Sequence, residues 1–490
     1  MRIPTIAVIG AGFSGSLLSV HLLRRCPASV RVILIERNAQ FGRGQAYSTG
    51  NPTHLLNVPA GRMSAFHDQP MHFVHWLRSQ DATELGVPRA SESSFVSRRL
   101  YGQYIRSLLK EELRRESHKK LELVRGSVHR VDRTGPTLRL SLDRDRWIEA
   151  DLAVLATGHF PPAPVPVQEQ SFYDSGLYRP DPWSPDALEG LDQSSPILLI
   201  GTGLTTVDVV ISLLDQGHTG PIHALSRRGL LPLRHSARSS PSADTRYEFP
   251  TELLELTRFL RKEAAQAARS EDGSWQQVVD DVRPLVQDIW QAMPAADKSR
   301  FLRHLRPWWD IHRHRMAPSV AARIDRARHS NQLRIHAGRV LDYEIRNDGA
   351  DVTFRHRGTD QTTTLSVARV INCSGPGADY ERVADPLIRS LLDEGTARAD
   401  PLRLGLDVTT KAALRSRSGS ISRRLFAVGP VTKGAFWEMT AVPDIRRQCE
   451  LLAQHLAELV VPFSFRPRPD PEPMITPRLA ISPRMGEVFA

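Results

Sequence analysis

Two stretches of the chain repeat one order of apolar and polar positions. In the first, "TIAVIGAGFSGSLLSVHLLRR" followed by "VRVILIER" predicts a buried strand at Thr5–Ile9, a turn over Gly10-Ala11-Gly12-Phe13-Ser14-Gly15, and a helix with apolar Leu17, Leu18, Leu22 and Leu23. A second buried strand then ends at Glu36. In the other stretch, "PILLIGTGLTTVDVVISLLDQG" and then "PIHALSRRG" predict the same strand, glycine turn, helix and strand, ending in Ser226, Arg227 and Arg228. Two further segments resemble each other, "LELVRGSVHRVD" (Leu121–Asp132) and "LRIHAGRVLDYE" (Leu333–Glu344). Each predicts a strand, a glycine, an alternating three-stranded excursion and a strand that closes on a small-small-Gly turn. Those turns are Ala156-Thr157-Gly158 and Cys373-Ser374-Gly375. From Pro250 to about Arg328 the pattern turns helical and charged, with Leu253, Leu254, Leu256, Phe259 and Leu260 expected on one face.

The glycines carry the first chemistry. In a strand–turn–helix, Gly10 permits the tight turn, Gly12 lets backbone approach a pyrophosphate and Gly15 lets helix and strand pack closely. Glu36 ends the second strand, where a carboxylate accepts hydrogen bonds from adenosine ribose hydroxyls. In the second unit Gly201 and Gly203 take the first two roles, while Thr206 replaces the third, so helix and strand are expected slightly further apart. Gly10 to Glu36 and Gly201 to Arg227 are both 26 positions. The same corner of the fold therefore faces its ligand with an acid in one unit and with cations in the other. An acid repels a ribose 2′-phosphate, whereas a guanidinium grips it with charge-assisted bonds. The first site is expected to take FAD and the second NADPH rather than NADH.

The expected fold class is α/β, with two Rossmann-like dinucleotide-binding domains and a helical insertion in the second. The expected segments are 1–190 and 371–462 for the FAD domain, 191–370 for the NADPH domain with its insertion at about 250–328, and an extended tail at 463–490. The 490-residue length suits two or three domains, and the composition, 40% hydrophobic and 24% charged, is that of a globular protein. Nowhere does an apolar run reach the roughly 18 residues a bilayer span requires. The first residues lack a basic region ahead of a short apolar core, so no signal peptide or membrane partner is expected and the cytoplasm is the expected location. Cys26, Cys373 and Cys449 are widely separated, against a disulfide framework, a zinc knuckle or a redox Cys-x-x-Cys pair. The net charge of +11 is scattered along the chain, which points to anionic small molecules rather than nucleic acid.

The order of glycine-rich turn, Ala-Thr-Gly turn, glycine-rich turn and Cys-Ser-Gly turn resembles the two-dinucleotide-binding-domain flavoproteins, among them the flavin-containing, Baeyer-Villiger and N-hydroxylating monooxygenases. Within these the chain resembles a bacterial family of FAD-NAD(P)-binding proteins, through "GQAYSTGNPTHLLNVPAGRMSAF", "ATGHFPPAP", "HRHRMAP" and "GPVTKGAFWEMTAVPDIRRQ". The resemblance implies NADPH-driven reduction of FAD, capture of O2 as a C4a-hydroperoxyflavin, and hydroxylation of a small substrate, such as the nitrogen of an amino acid or amine. Two departures narrow it. The Phe-x-Gly-x-x-x-His signature of Baeyer-Villiger enzymes is not met by "SFYDSGLYRPDPW", and the cysteine pair of the dithiol reductases is absent. A flavin reductase or dehydrogenase that inserts no oxygen, and a non-catalytic nucleotide-binding protein, remain as alternatives.

The remaining candidates follow from position. The apolar, loop-rich stretch 44–66 is expected along the flavin ring, with Asn57, Val58 and Met63 in contact; Arg37, Val128, Thr157 and Gly158 are grouped with them as cofactor contacts. In the resembling families the helix beginning near Pro443 points its N-terminus at the flavin, which brings Gly429, Trp437, Val442 and Glu438 to the site. Arg313 and Arg315 are candidates to bind a substrate carboxylate, with Trp308 and Trp309 as walls; a basic helix of purely structural role explains them equally. His312 and His314, two residues apart, suit no helical metal site, and no metal is expected.

Overall fold

The structure, a computed structural model, describes residues 3–26, 29–80, 90–115, 119–236, 249–269 and 274–461; the tail expected at 463–490 lies outside the described residues. The chain forms two compact units, the first of residues 1–50, 59–159 and 378–490, the second of 51–58 and 160–377.

Unit 1 is built on a six-stranded sheet. Its strands are β1 (Thr5–Ile9), β2 (Arg31–Glu36), β3 (Lys120–Arg125), β7 (Leu152–Leu155), β15 (Ala413–Arg415) and β16 (Ile421–Ala427), in the order β15-β16-β7-β1-β2-β3. All neighbours run parallel except β15 with β16. β1 and β7 are buried throughout, as continuous apolar runs in a parallel sheet must be. The helices Phe13–Arg25, Arg98–Arg114 and Val442–Val460 belong to this unit, the first packed against both others. The excursion β4 (Val128–Thr134), β5 (Thr137–Leu142) and β6 (Trp147–Ala150) forms a separate antiparallel sheet.

Unit 2 holds a seven-stranded sheet of β8 (Tyr178–Arg179), β9 (Ile197–Ile200), β10 (Ile222–Ser226), β11 (Leu333–Arg346), β12 (Gly349–His356), β13 (Thr362–Val367) and β14 (Arg369–Asn372). The order is β13-β12-β11-β10-β9-β14-β8, parallel from β8 to β11 and antiparallel beyond. The second excursion therefore differs from the first. Gly126 separates β3 from β4, whereas Gly338 lies inside the continuous β11, where an added Cβ would stand 2.4 Å from the Arg355 carbonyl oxygen. Residues 160–190, assigned by sequence to the first segment, cluster with unit 2. The reason is packing: β8 pairs with β14, and Phe172 stacks on Tyr343 at a centroid distance of 4.4 Å within the unit 2 core.

The insertion is helical, as expected, running from Leu253–Ala267 to Pro318–His329. Leu253, Leu256 and Met293 form its core with Leu260 packed against them, but Leu254 is 60% exposed. A residue one step from Leu253 is rotated about 100° off the stripe, so the expected face is narrower than five residues. Among the described residues no helix is long and apolar enough to cross a membrane, and no group of three His, Cys, Asp or Glu is placed to hold a metal ion.

Buried histidines give the fold a pH dependence. His21 and His223 are lowered from 6.5 to about 4, each chiefly by burial, His21 also by Arg25 and Arg24, and His223 also by His336, whose ring nitrogen lies 3.0 Å away. A folded-state value below the unfolded one means that the unfolded chain takes the proton first. Stability is then complete above pH 6.5 and falls as pH drops toward 4, by on the order of 3 kcal/mol for each buried ring. The melting temperature should therefore decline steeply between pH 6.5 and 4.5, and a His223→Asn variant should flatten that slope.

Candidate functional site

In unit 1 the glycine turn follows β1. Gly10 adopts φ +106° and donates its N–H to the Ile35 carbonyl at 2.8 Å; a Cβ there would stand 2.3 Å from the Ala156 carbonyl oxygen. A Cβ on Gly15 would stand 1.9 Å from the Gly10 oxygen, so helix and strand meet at van der Waals limits. Gly12 caps the helix Phe13–Arg25 with no side-chain hydrogen bond to its first turn, which contains no acid. The first-turn amides of such a helix form an anion site. Glu36 closes this corner from within: its carboxylate accepts the Ala11 N–H at 2.8 Å and the Asn38 N–H at 3.0 Å. An ionised carboxylate has about four acceptor positions, so two remain for hydroxyl donors. Arg37 turns away into an ion pair with Asp385 at 2.8 Å.

The Ala156-Thr157-Gly158 turn lies beside the Gly10 turn. Gly158 adopts φ +72° with open space around it, and the Val428 N–H donates to Leu155 at 2.9 Å, bringing Gly429 alongside. Gly429 adopts φ +80°, where a Cβ would stand 2.4 Å from the Ser14 hydroxyl. Its N–H donates to the Gln448 side chain at 2.8 Å, and Gln448 in turn donates to Thr432 at 2.9 Å. Gln448 lies outside the sequence-predicted site residues; its signal is a polar residue in the buried stripe Val442, Ile445, Cys449 and Leu452. The helix Val442–Val460 begins without a side-chain cap. Trp437 is buried with the Lys433 ammonium 4.9 Å from its ring centroid. Glu438 is buried at φ +63°, a left-handed conformation uncommon for a non-glycine residue and an indicator of local constraint. Thr157 lies beside Tyr380, whose phenol is raised well above its ordinary range by burial. Met63 is buried after the turn Ala60–Arg62, and Val128 is buried at the start of β4.

Unit 2 repeats the turn. Gly201 adopts φ +117°, its N–H donates to Leu225 at 2.7 Å, and a Cβ would stand 2.4 Å from the Cys373 carbonyl oxygen. Gly203 caps the helix Leu204–Asp215 without a side-chain hydrogen bond, its first turn has no acid, and a Cβ on it would meet nothing within 4 Å. The loop after β10 is tied down: Thr202 donates to the Leu230 carbonyl at 2.5 Å, and the Gly229 N–H donates to Ser226 at 2.9 Å. This arrangement separates the two arginines. Arg227 is exposed beside Gly338, whereas Arg228 is half-buried with its guanidinium 5.8 Å from the Trp308 ring centroid. Asn57 and Val58 belong to unit 2, where the Asn57 carbonyl accepts from His235 at 2.8 Å.

Arg313 and Arg315 are buried, and Arg315 is 1% exposed. The Arg315 guanidinium donates to Gln276 at 2.7 Å and pairs with Asp280. Gln276 also accepts the Ser236 N–H at 2.8 Å and donates to the Arg234 carbonyl at 2.9 Å, so the charge sits inside a buried hydrogen-bonded network. The three thiols are buried and raised by that burial, Cys26 to about 11 and Cys373 and Cys449 further, which keeps them protonated at neutral pH.

Comparison with known proteins matches residues 7–160 to the FAD-NAD(P)-binding family. A curated relative, an L-aspartate N-monooxygenase (nitrosuccinate-forming) of Streptomyces davaonensis, is 28% identical over 346 residues, 58% of this chain and 51% of that protein. The chain thus matches about half the length of that relative. Among solved structures, L-lysine 6-monooxygenase from Pseudomonas syringae aligns with a TM-score of 0.63 and 15% identity, covering 94% of this chain and 100% of that one. An ornithine N-hydroxylase from Kutzneria sp. 744, solved with reduced FAD, NADP+ and L-ornithine, aligns at 0.62 and 14% identity, covering 93% and 99%. At these identities the solved structures establish the fold. Residues 7–160 are similar to an FAD-NAD(P)-binding segment, and the chain shares its α/β fold with these solved structures.

Proposed function

We propose that the chain is an FAD- and NADPH-dependent monooxygenase that hydroxylates the nitrogen of an amino-acid-like or other small amine substrate, with O2 as oxidant. The observation that carries this reading is the pairing of two glycine turns of one geometry with opposite charge at the strand end that follows, Glu36 in unit 1 and Arg227 in unit 2. The relatives that act on aspartate, lysine and ornithine support the substrate class.

The residues fit both groups, since each helix N-terminus offers uncapped amides and the Gly203 face is open. Gly10, Gly12, Gly15 and Glu36 would hold FAD, with Met63, Val128, Thr157, Gly158, Gly429, Trp437 and Val442 as further contacts. Gly201, Gly203 and Arg227 would hold NADPH, with Arg228 stacked on Trp308 behind. Flavin supplies hydride acceptance and oxygen activation when bound. The chain's own task is to bind, to orient and to exclude water. The uncapped turn at Val442 stabilises negative charge placed before it by its partial positive end. Glu438, buried at φ +63° beside Trp437, is an acidic group just before that turn and suits an ammonium or amine nitrogen. Arg315 is better assigned to its buried network than to substrate.

The test is to add FAD to the purified protein and follow NADPH and NADH oxidation in air against a panel of amino acids and diamines, measuring peroxide and the hydroxylamine product by mass. A hydroxylated product from one amine, with little peroxide, supports the reading. Peroxide equal to NADPH consumed with every amine overturns it in favour of a reductase. In Arg227→Ala the preference for NADPH over NADH should fall about 10- to 100-fold, the worth of a lost charge-assisted contact of about 1.5–3 kcal/mol.

A further inference from the structure

We propose that Arg339, Arg355 and Arg357, on the antiparallel hairpin that extends the unit 2 sheet, join Arg227 to form the pocket that seats the ribose 2′-phosphate and set the choice of nucleotide. This inference rests on the assignment of unit 2 to a pyridine nucleotide. The four arginines line one cavity of ≈ 400 Å³. All four are exposed, and among the described residues Arg227, Arg339 and Arg357 have no carboxylate within ion-pairing reach. Asp360 is the one acid of the lining; it stands 4.0 Å from Arg355 and is itself fully exposed to water.

Arg339 and Arg355 are register partners on β11 and β12. Like charges directly opposite on neighbouring strands destabilise a sheet, so the pair is a cost to the empty protein that a doubly charged anion turns into a gain. The backbone brings the rest of the cluster to the same place. The Arg357 N–H donates to the Ala337 carbonyl at 2.9 Å, and a Cβ on Gly229, in the loop that carries Arg227, would stand 3.1 Å from the Ala337 Cβ. The internal repeat gives a second, independent line. In "RGSVHRVD" of unit 1 the position between the glycine and the valine is Ser127, whose N–H is held by the Asp143 carboxylate at 2.9 Å. In "AGRVLDYE" of unit 2 that position is Arg339. The exchange of Glu36 for Arg227 is thus accompanied by an exchange of a serine bound to an acid for a second arginine. Both changes run toward positive charge at one corner, as a phosphorylated ribose demands.

The experiment measures calorimetric binding of adenosine 2′,5′-bisphosphate and of 5′-AMP to the full chain, as wild type, Arg227→Ala, Arg339→Ser and Arg355→Ala. The expected result is that wild type prefers the bisphosphate, and that each hairpin variant weakens it by about tenfold or more while 5′-AMP changes by less than about twofold. The nucleotide-free variants should melt no lower than wild type. Hairpin variants that bind the bisphosphate as wild type does, while Arg227→Ala loses it, overturn the pocket and leave the nucleotide assignment standing. Equal loss of both ligands, or a lower melting temperature in the hairpin variants, assigns these arginines a general or structural role and also overturns it. A wild type that does not distinguish the two ligands removes the nucleotide assignment itself and the pocket with it.

Discussion

Replacing Asp280 by alanine should lower the stability of the protein by about 3–5 kcal/mol, the cost of leaving one partner of a buried ion pair uncompensated. Asp280 and Arg315 side chains are 3% and 1% exposed, so water cannot take the place of the lost carboxylate. Because Arg315 is also anchored by Gln276, which holds the backbone of Arg234 and Ser236, the loss should spread to the junction of the helical insertion with β10. For a unit of this size, 1 kcal/mol corresponds to about 2–4 °C, so the melting temperature should fall by roughly 10 °C. Removing both charges together, as Asp280→Leu with Arg315→Met, should cost much less, since an apolar pair of similar volume needs no compensation. A variant Asp280→Ala that melts like wild type but shows a raised KM for substrate would instead return Arg315 to the binding site.

Gly10→Ala should yield a protein that fails to fold its first unit or purifies without flavin. Two costs add here. The φ of +106° disfavours any side chain, and the new Cβ would press on the Ala156 carbonyl, a backbone atom of the neighbouring strand end that has nowhere to move. Strain of about 1–3 kcal/mol and overpacking of about 1–3 kcal/mol are enough to remove most of the stability of a marginal domain. Gly201→Ala should behave alike in unit 2, against the Cys373 carbonyl. Gly203→Ala is the contrast: its φ is −83° and its Cβ meets nothing, so the fold should persist while nucleotide affinity drops. Circular dichroism with flavin absorbance and nucleotide titration separates the three. Equal folding of Gly10→Ala and Gly203→Ala would remove the distinction drawn between a glycine needed for protein packing and one needed for ligand approach.

The parts of the fold legible in the sequence are those whose signal is local. The glycine turns, their flanking apolar strands and the 26-position spacing to Glu36 and Arg227 are local, because strand length, helix period and the φ of a single turn residue dictate them. The helical character of the insertion was legible for the same reason, though the exposure of Leu254 was not, since the stripe width depends on what packs opposite. Residues 160–190 are assigned by sequence to the first segment but cluster with unit 2, as a two-residue strand and one aromatic, Phe172, take their partners from β14 and Tyr343 far along the chain. Nor did composition distinguish among the arginines. Arg227, Arg228 and Arg315 look alike as letters, and only tertiary structure sends one to an open cavity, one onto Trp308 and one into a buried carboxylate. Local periodicity and turn chemistry thus determined the two glycine-turn α/β units; the partner of each long charged side chain was decided by which distant backbone lay within its reach, because a flexible guanidinium has no fixed direction until packing and charge supply one.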